Sequence, residues 1–88
     1  MGQKRTDDEL VAIGRRLKQA RIALGLKQKE ISQSLGVKYA TWNHWETGKR
    51  IPDPLAMKDF YLKYGITMEW VYAGDPKGLE LESVGAIY

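Results

Sequence analysis

Apolar positions recur at intervals of three and four through most of the chain, and the places where that rhythm breaks mark its elements. Leu10, Ile13, Leu17, Ala20 and Leu24 form one continuous stripe, which predicts an amphipathic first helix. Ahead of it, Thr6-x-x-Glu9 has the form of a capping box, Asp7 and Asp8 suit the positive end of a helix dipole, and Gly25 is the expected stop. Ile31 and Leu35 share a face of a second helix, from about Gln28 to Leu35. After a Leu35-Gly36-Val37 corner, a third helix runs from about Lys38 to Thr47 with Val37, Trp42 and Trp45 turned inward. Arg50-Ile51-Pro52-Asp53-Pro54 is a stiff connector, because each proline biases the residue before it away from helix. Asp53 then caps a fourth helix that has Pro54 at its first position, Met57, Phe60, Tyr61 and Tyr64 inward, and Gly65 at its end. Thr67 caps a short fifth helix containing Met68, Trp70 and Val71, ended by Gly74-Asp75-Pro76. The expectation is an all-α, five-helix domain over residues 1–74. Residues 75–88 read as a tail: LELESV alternates weakly, as a strand would, but a lone strand needs a second chain to pair with. The other reading of the tail is an end without fixed structure.

The third helix carries the chemistry. With Val37, Trp42 and Trp45 inward, Lys38, Tyr39, Ala40, Asn43 and His44 lie on the outer face, and all but Ala40 are polar or able to hydrogen-bond. A helix held from behind and exposed in front suits insertion into a DNA major groove. Charge supports this: residues 1–50 hold eleven Lys/Arg and five Asp/Glu (+6), residues 51–88 hold three and six (−3), and together they give the net +3. The basic half coincides with the two-helix corner and its leading helix, which points to a polyanion partner for that half and another task for the acidic one. Trp42 and Trp45 could stack on bases in a single-strand binder, but their spacing with Val37 makes them core residues; Tyr61, Tyr64, Tyr72 and Trp70 are read the same way. His44 is the only histidine and no ligand stands at metal spacing from it, there is no cysteine, and no carboxylates cluster with metal spacing, so neither a metal site, a cofactor nor an enzyme is expected. No apolar run approaches the roughly 18 residues of a membrane span. The N-terminal MGQKRTDDEL is too polar for a signal peptide. A cytoplasmic protein is the expectation.

Gln28 at the start of the second helix, Gly36 at the corner, the apolar Val37, Trp42 and Trp45, and Glu46-Thr47-Gly48-Lys49-Arg50 with Pro52 beyond form one ordered set. Leu17-x-x-Ala20-Arg21-x-x-Leu24-Gly25-Leu26-Lys27-Gln28 precedes it, and Gly65-Ile66-Thr67-Met68-Glu69-Trp70-Val71-x-x-Gly74 follows. Together these resemble the phage repressor and Cro-like (XRE-type) helix-turn-helix regulators, over roughly residues 8–74. The resemblance implies base readout by Lys38, Tyr39, Ala40 and His44, and phosphate contacts from Gln28, Lys27, Asn43, Lys49 and Arg50. It also implies a partly buried ion pair between Arg21 and Glu46 that braces the motif. Three positions depart from the pattern: Ser32 stands where the family usually has Ala, so its hydroxyl needs a partner such as the carbonyl four residues back. Trp42 is larger than the usual Ile or Val, and Tyr61 larger than the usual Ala.

The expected function is therefore sequence-specific binding of double-stranded operator DNA by a transcriptional regulator of phage or prophage Cro-like type, acting at the nucleoid of a bacterial host. One such helix buries too little to be selective, so a homodimer spanning half-sites about 34 Å apart is expected. Trp70, Val71 and Tyr72 put apolar mass into the short fifth helix and are the expected dimer residues, joined by the tail. A second reading is an antitoxin-type module of the same fold that grips a protein partner and regulates its own expression.

Overall fold

A computed structural model describes the backbone of residues 2–79 and the side chains of residues 8–79. Five helices follow one another: α1 (Gly2–Ala23), α2 (Gln28–Ser34), α3 (Tyr39–Glu46), α4 (Pro54–Tyr64) and α5 (Met68–Ala73), with no strand among the described residues. The protein is all-α. α1 lies across both α3 and α5, α2 packs on α3, and α4 packs on α5.

Each boundary has a local cause. Asp53 Oδ2 accepts the Ala56 N–H at 3.0 Å with Pro54 in the first turn, and Thr67 Oγ1 accepts the Trp70 N–H at 3.1 Å. Each side chain occupies one of the donors that a helix start leaves unpaired. Gly65 and Gly74 end α4 and α5 in the left-handed region, at φ 75° each, where a Cβ is unfavourable. The start of α1 differs from the sequence expectation. The helix begins at Gly2, so Thr6 lies inside it rather than at its cap.

The core follows the predicted stripes. Ile13, Leu17 and Ala20 of α1 meet Ile31 and Leu35 of α2, Trp42 and Trp45 of α3, Met57 and Phe60 of α4, and Trp70 and Val71 of α5. Trp42 makes edge-on contacts with Trp45 and with Phe60, each at 5.8 Å between centroids, and Phe60 repeats the arrangement with Tyr64. Such edge-to-face pairs add to what area burial alone contributes. Tyr64 keeps its polar tip satisfied by a 2.6 Å hydrogen bond with Ser34 Oγ, and Tyr72 donates to the Pro52 carbonyl at 2.8 Å.

Three expectations are corrected. Tyr61 is 48% exposed, because the buried side of α4 is set by Ala56, Met57 and Phe60 and Tyr61 falls to its flank. Trp70 and Val71, expected at a dimer surface, are 6% and 0% exposed inside the core of their own chain. Ser32 is buried, and its hydroxyl donates to the Lys29 carbonyl three residues back, at 3.0 Å, rather than four. The tail begins as a turn in which Lys77 N–H donates to Asp75 Oδ1, and Leu79 folds back into the core. The packed unit thus continues past residue 74. The proposed strand pairing of residues 79–88 falls largely on 80–88, outside the described residues, as does the side-chain capping of Thr6.

Candidate nucleic-acid interface

α2 and α3 are joined by a tight corner. Gly36 takes φ 69°, and the Gly36 and Val37 N–H groups return to the Gln33 and Ser32 carbonyls at 3.2 and 3.0 Å. These bonds satisfy the last carbonyls of α2 and fix the angle at which α3 leaves. Ser32 is small enough for the two helices to close on each other there.

Behind the corner sits one carboxylate that ties three helices together. Glu46, its side chain 3% exposed, accepts from Arg21 Nε at 2.6 Å and Arg21 Nη2 at 3.2 Å. It also accepts from Gln28 Nε2 at 2.9 Å and from Trp42 Nε1 at 2.5 Å. Two carboxylate oxygens offer about four lone-pair sites, so these four donors saturate it. Arg21 spends a further N–H on the Leu26 carbonyl at 3.0 Å. The expected Arg21–Glu46 pair is present, and the hub around it is larger than expected because Gln28 and Trp42 join. The two Nε2 hydrogens of Gln28 go to Glu46 and to Asn43 Oδ1, the latter at 3.2 Å. Its side chain therefore faces the hub, with both amide donors engaged.

Gly14 is a structural residue that sequence reasoning passed over. A Cβ there would lie 2.5 Å from both the Trp45 and Glu46 carbonyl oxygens, so only glycine lets α1 pass under the end of α3. An isolated glycine inside a helical stripe was the available signal. Gly48 is constrained twice, by φ 77° and by the backbone of Val11 3.0 Å from where its Cβ would be.

In front of this frame, Lys38, Tyr39 and Ala40 are exposed at the opening turn of α3, with Tyr39 at 54%. Asn43 and His44, further along, are half-buried. Tyr39 shares an open groove with Arg21, Lys27, Gln28 and Lys29. The fold thus brings the expected base-reading turn beside the expected backbone-contacting start of α2. Lys29 is an additional cation on that wall that sequence reasoning did not single out. Lys49 and Arg50 are exposed just past the C-terminal end of α3. Their N–H groups donate to the His44 carbonyl at 2.9 and 3.4 Å, so the junction after α3 is hydrogen-bonded.

A saturated hub behind, a short exposed turn in front and exposed cations at the start of α2 and past the end of α3 suit a groove-reading helix. Over residues 14–75 the chain matches the helix-turn-helix domain family. It belongs to that family. The protein is a DNA-binding regulator of transcription of the XRE-like kind, and DNA is its partner. No curated protein and no solved structure matches the chain. Among the described residues of this regulator, no helix is long and apolar enough to cross a membrane, and no three His, Cys, Asp or Glu side chains gather as a metal site would require.

Proposed function

We propose that this helix-turn-helix protein is a Cro-like repressor that binds operator DNA as a homodimer and catalyses no reaction. α3 enters the major groove with its first turn, where Lys38 can donate to guanine, Tyr39 can hydrogen-bond or touch a thymine methyl, and Ala40 makes apolar contact. His44 follows one turn later at the same edge. Lys27 and Lys29 at the start of α2, and Lys49 and Arg50 past the end of α3, lie against the phosphates. Asn43 and the α2 end of the groove fix the register. The observation that carries the reading is the groove in which Tyr39 stands beside Lys27 and Lys29. It supports the reading because it sets the Tyr39 ring beside two cations on a rigid frame.

Selection of bound sites from random duplex DNA, followed by anisotropy titrations on the selected site, tests this reading. Binding should weaken steeply with salt, with a log–log slope of roughly −4 to −8 for a dimer making several phosphate contacts. Exchanging Lys38, Tyr39 and His44 together should change the selected sequence, with each lost bidentate contact worth about 1–3 kcal/mol at its base pair. Lys27→Ala with Lys29→Ala should weaken all sequences alike. A flat salt response would remove the nucleic-acid reading for this chain. Unchanged selection after the triple exchange would place readout on another face.

A further inference from the structure

The side-chain amides of Gln28 and Asn43 stand in series between the buried hub and the open groove, and the charge at their inner end fixes which way each one points. Glu46 is paired with Arg21 and offers only acceptor oxygens, so the corner of the Gln28 amide 2.9 Å from Glu46 Oε1 is its NH₂. Turned over, Gln28 would set its own oxygen against a carboxylate that is 3% exposed. The second hydrogen of that NH₂ goes to Asn43 at 3.2 Å, so Asn43 meets it with Oδ1. Asn43 Nδ2 then lies on the other corner of its amide, bonded to no described residue. No buried side-chain polar atom among the described residues lacks a partner, so this NH₂ reaches solvent. Gln28 has spent both hydrogens and keeps only an oxygen, which a phosphate repels.

Asn43 follows Tyr39 by one turn on the same edge of α3, and Tyr39 and Gln28 line the same groove. An asparagine free to turn can offer oxygen and NH₂ together, which is how the side chain pairs with both N6 and N7 of adenine. Asn43 has its oxygen occupied and is a donor only, so its complement is a group that only accepts. It is half-buried on the flank of α3 that faces α2, set back from the exposed turn of Lys38, Tyr39 and Ala40. A side chain on such a flank meets the wall of the major groove, which is phosphate, rather than the base edges of its floor. We propose that Asn43 Nδ2 donates to one DNA phosphate in each half-site, and that Gln28 is a positioning residue that acts on DNA through Asn43 without touching it. The inference deepens the function proposed above and rests on its placement of α3 in the groove.

A double-mutant cycle read by anisotropy on the selected operator, with folding checked by circular dichroism, tests the relay. Asn43→Ala should weaken binding about 10-fold, the size of a hydrogen bond to a charged group. Gln28→Met, which removes both donors at similar length, should weaken it several-fold alone but under about twofold in the Asn43→Ala background. Losses that multiply overturn the positioning role, because a direct contact or a displaced α3 would persist without Asn43. Asn43→Asp puts an oxygen where the NH₂ stood and should weaken binding more than Asn43→Ala; equal or tighter binding overturns the donor assignment. Neutral methylphosphonates substituted one at a time into the operator should reveal one position per half-site that weakens the wild type and leaves Asn43→Ala indifferent. A base pair that shows this pattern instead overturns the phosphate assignment. In the protein without DNA, nuclear magnetic resonance should find both Gln28 amide protons slow to exchange with water and those of Asn43 fast. The reverse pattern overturns the amide orientation, whatever the protein binds. A wild-type protein that binds no duplex overturns the DNA reading itself and with it the phosphate contact, while variants that fail in a wild type that does bind overturn this inference alone.

Discussion

The motif half of the regulator, α1 to α3, adds a hub of directional polar bonds to its buried apolar side chains, whereas the α4–α5 half has burial without such a hub. In the first, Glu46 collects donors from Arg21, Gln28 and Trp42, one residue from each of three helices. In the second, Met57, Phe60, Ile66 and Val71 are wholly buried, and the polar contacts are separate single bonds with no shared hub, among them the two helix caps, Tyr64 with Ser34, Tyr72 with Pro52 and Arg16 with the Val71 carbonyl. A hydrogen bond weakens steeply when its angle changes, while apolar burial depends on area and tolerates small rotations. The half whose orientation must match a groove is thus braced by the interaction that senses orientation. The supporting half relies chiefly on the one that does not.

The largest test of this contrast sets Glu46 against Phe60. Glu46→Ala strands the Arg21 guanidinium and should cost roughly 3–5 kcal/mol, and Phe60→Ala should cost a similar 3–5 kcal/mol through the cavity it leaves. Shape-preserving changes should then divide the halves. Phe60→Leu should lose only about 1–2 kcal/mol. Glu46→Gln keeps the volume but replaces an acceptor with an NH₂ facing donors, and should lose clearly more, by the charge-assisted bonds and desolvation of Arg21. Urea titrations of the four variants measure this, and equal losses for Glu46→Gln and Phe60→Leu would erase the distinction.

Gly14→Ala is next, at about 1–3 kcal/mol for forcing the α1–α3 approach apart. Because the obstruction is backbone carbonyl rather than a flexible side chain, the same variant should also weaken DNA binding by displacing α3. Thermal denaturation paired with anisotropy reads both effects. On the other side of the comparison, Asp53→Ala should cost about 1 kcal/mol as a lost cap and leave half-site DNA affinity unchanged once the protein is folded.

The smallest effect is alkaline. Burial first, and the charge of Asp53 second, raise the Tyr72 phenol above its ordinary 10.0. The stability this neutral form contributes is fully present below pH 10 and is lost as pH rises through the raised value. Melting temperature should therefore fall above pH 10, and Tyr72→Phe should make that fall shallower, on top of a pH-independent loss of about 1 kcal/mol from the missing bond to the Pro52 carbonyl. An identical alkaline slope in the two proteins would assign the loss to other groups.

Most of the architecture was legible because helix stops and starts are local chemistry. Asp53-Pro54, Thr67, Gly65 and Gly74 act within a few residues of themselves, and the structure shows each where its neighbours require it. Which side of a short helix is covered is not local. α4 has apolar residues on two sides, and periodicity alone does not separate Met57 and Phe60 from Leu55 and Leu62. The same ambiguity put Tyr61 inside and left Trp70 read both as core and as dimer surface. The Arg21–Glu46 pair, 25 residues apart, came from the family resemblance rather than from spacing. The inward turn of Gln28 was missed because a side-chain amide serves a phosphate or a carboxylate equally well. Thr6 reads as a cap only if the chain is non-helical before it, and here the helix is already under way.

The separation between Glu46 and the reading turn has an evolutionary consequence. Lys38, Tyr39 and Ala40 make no side-chain hydrogen bond to the hub, and they lie at the surface. Substitutions there should leave the frame intact, so descendants of one ancestral gene could diverge to new operators in a few steps without passing through unfolded intermediates. Asn43 is the exception, since it accepts from Gln28. Lineages descended from such a protein should therefore vary freely at three neighbouring positions while the fourth changes only together with its helper on the preceding helix.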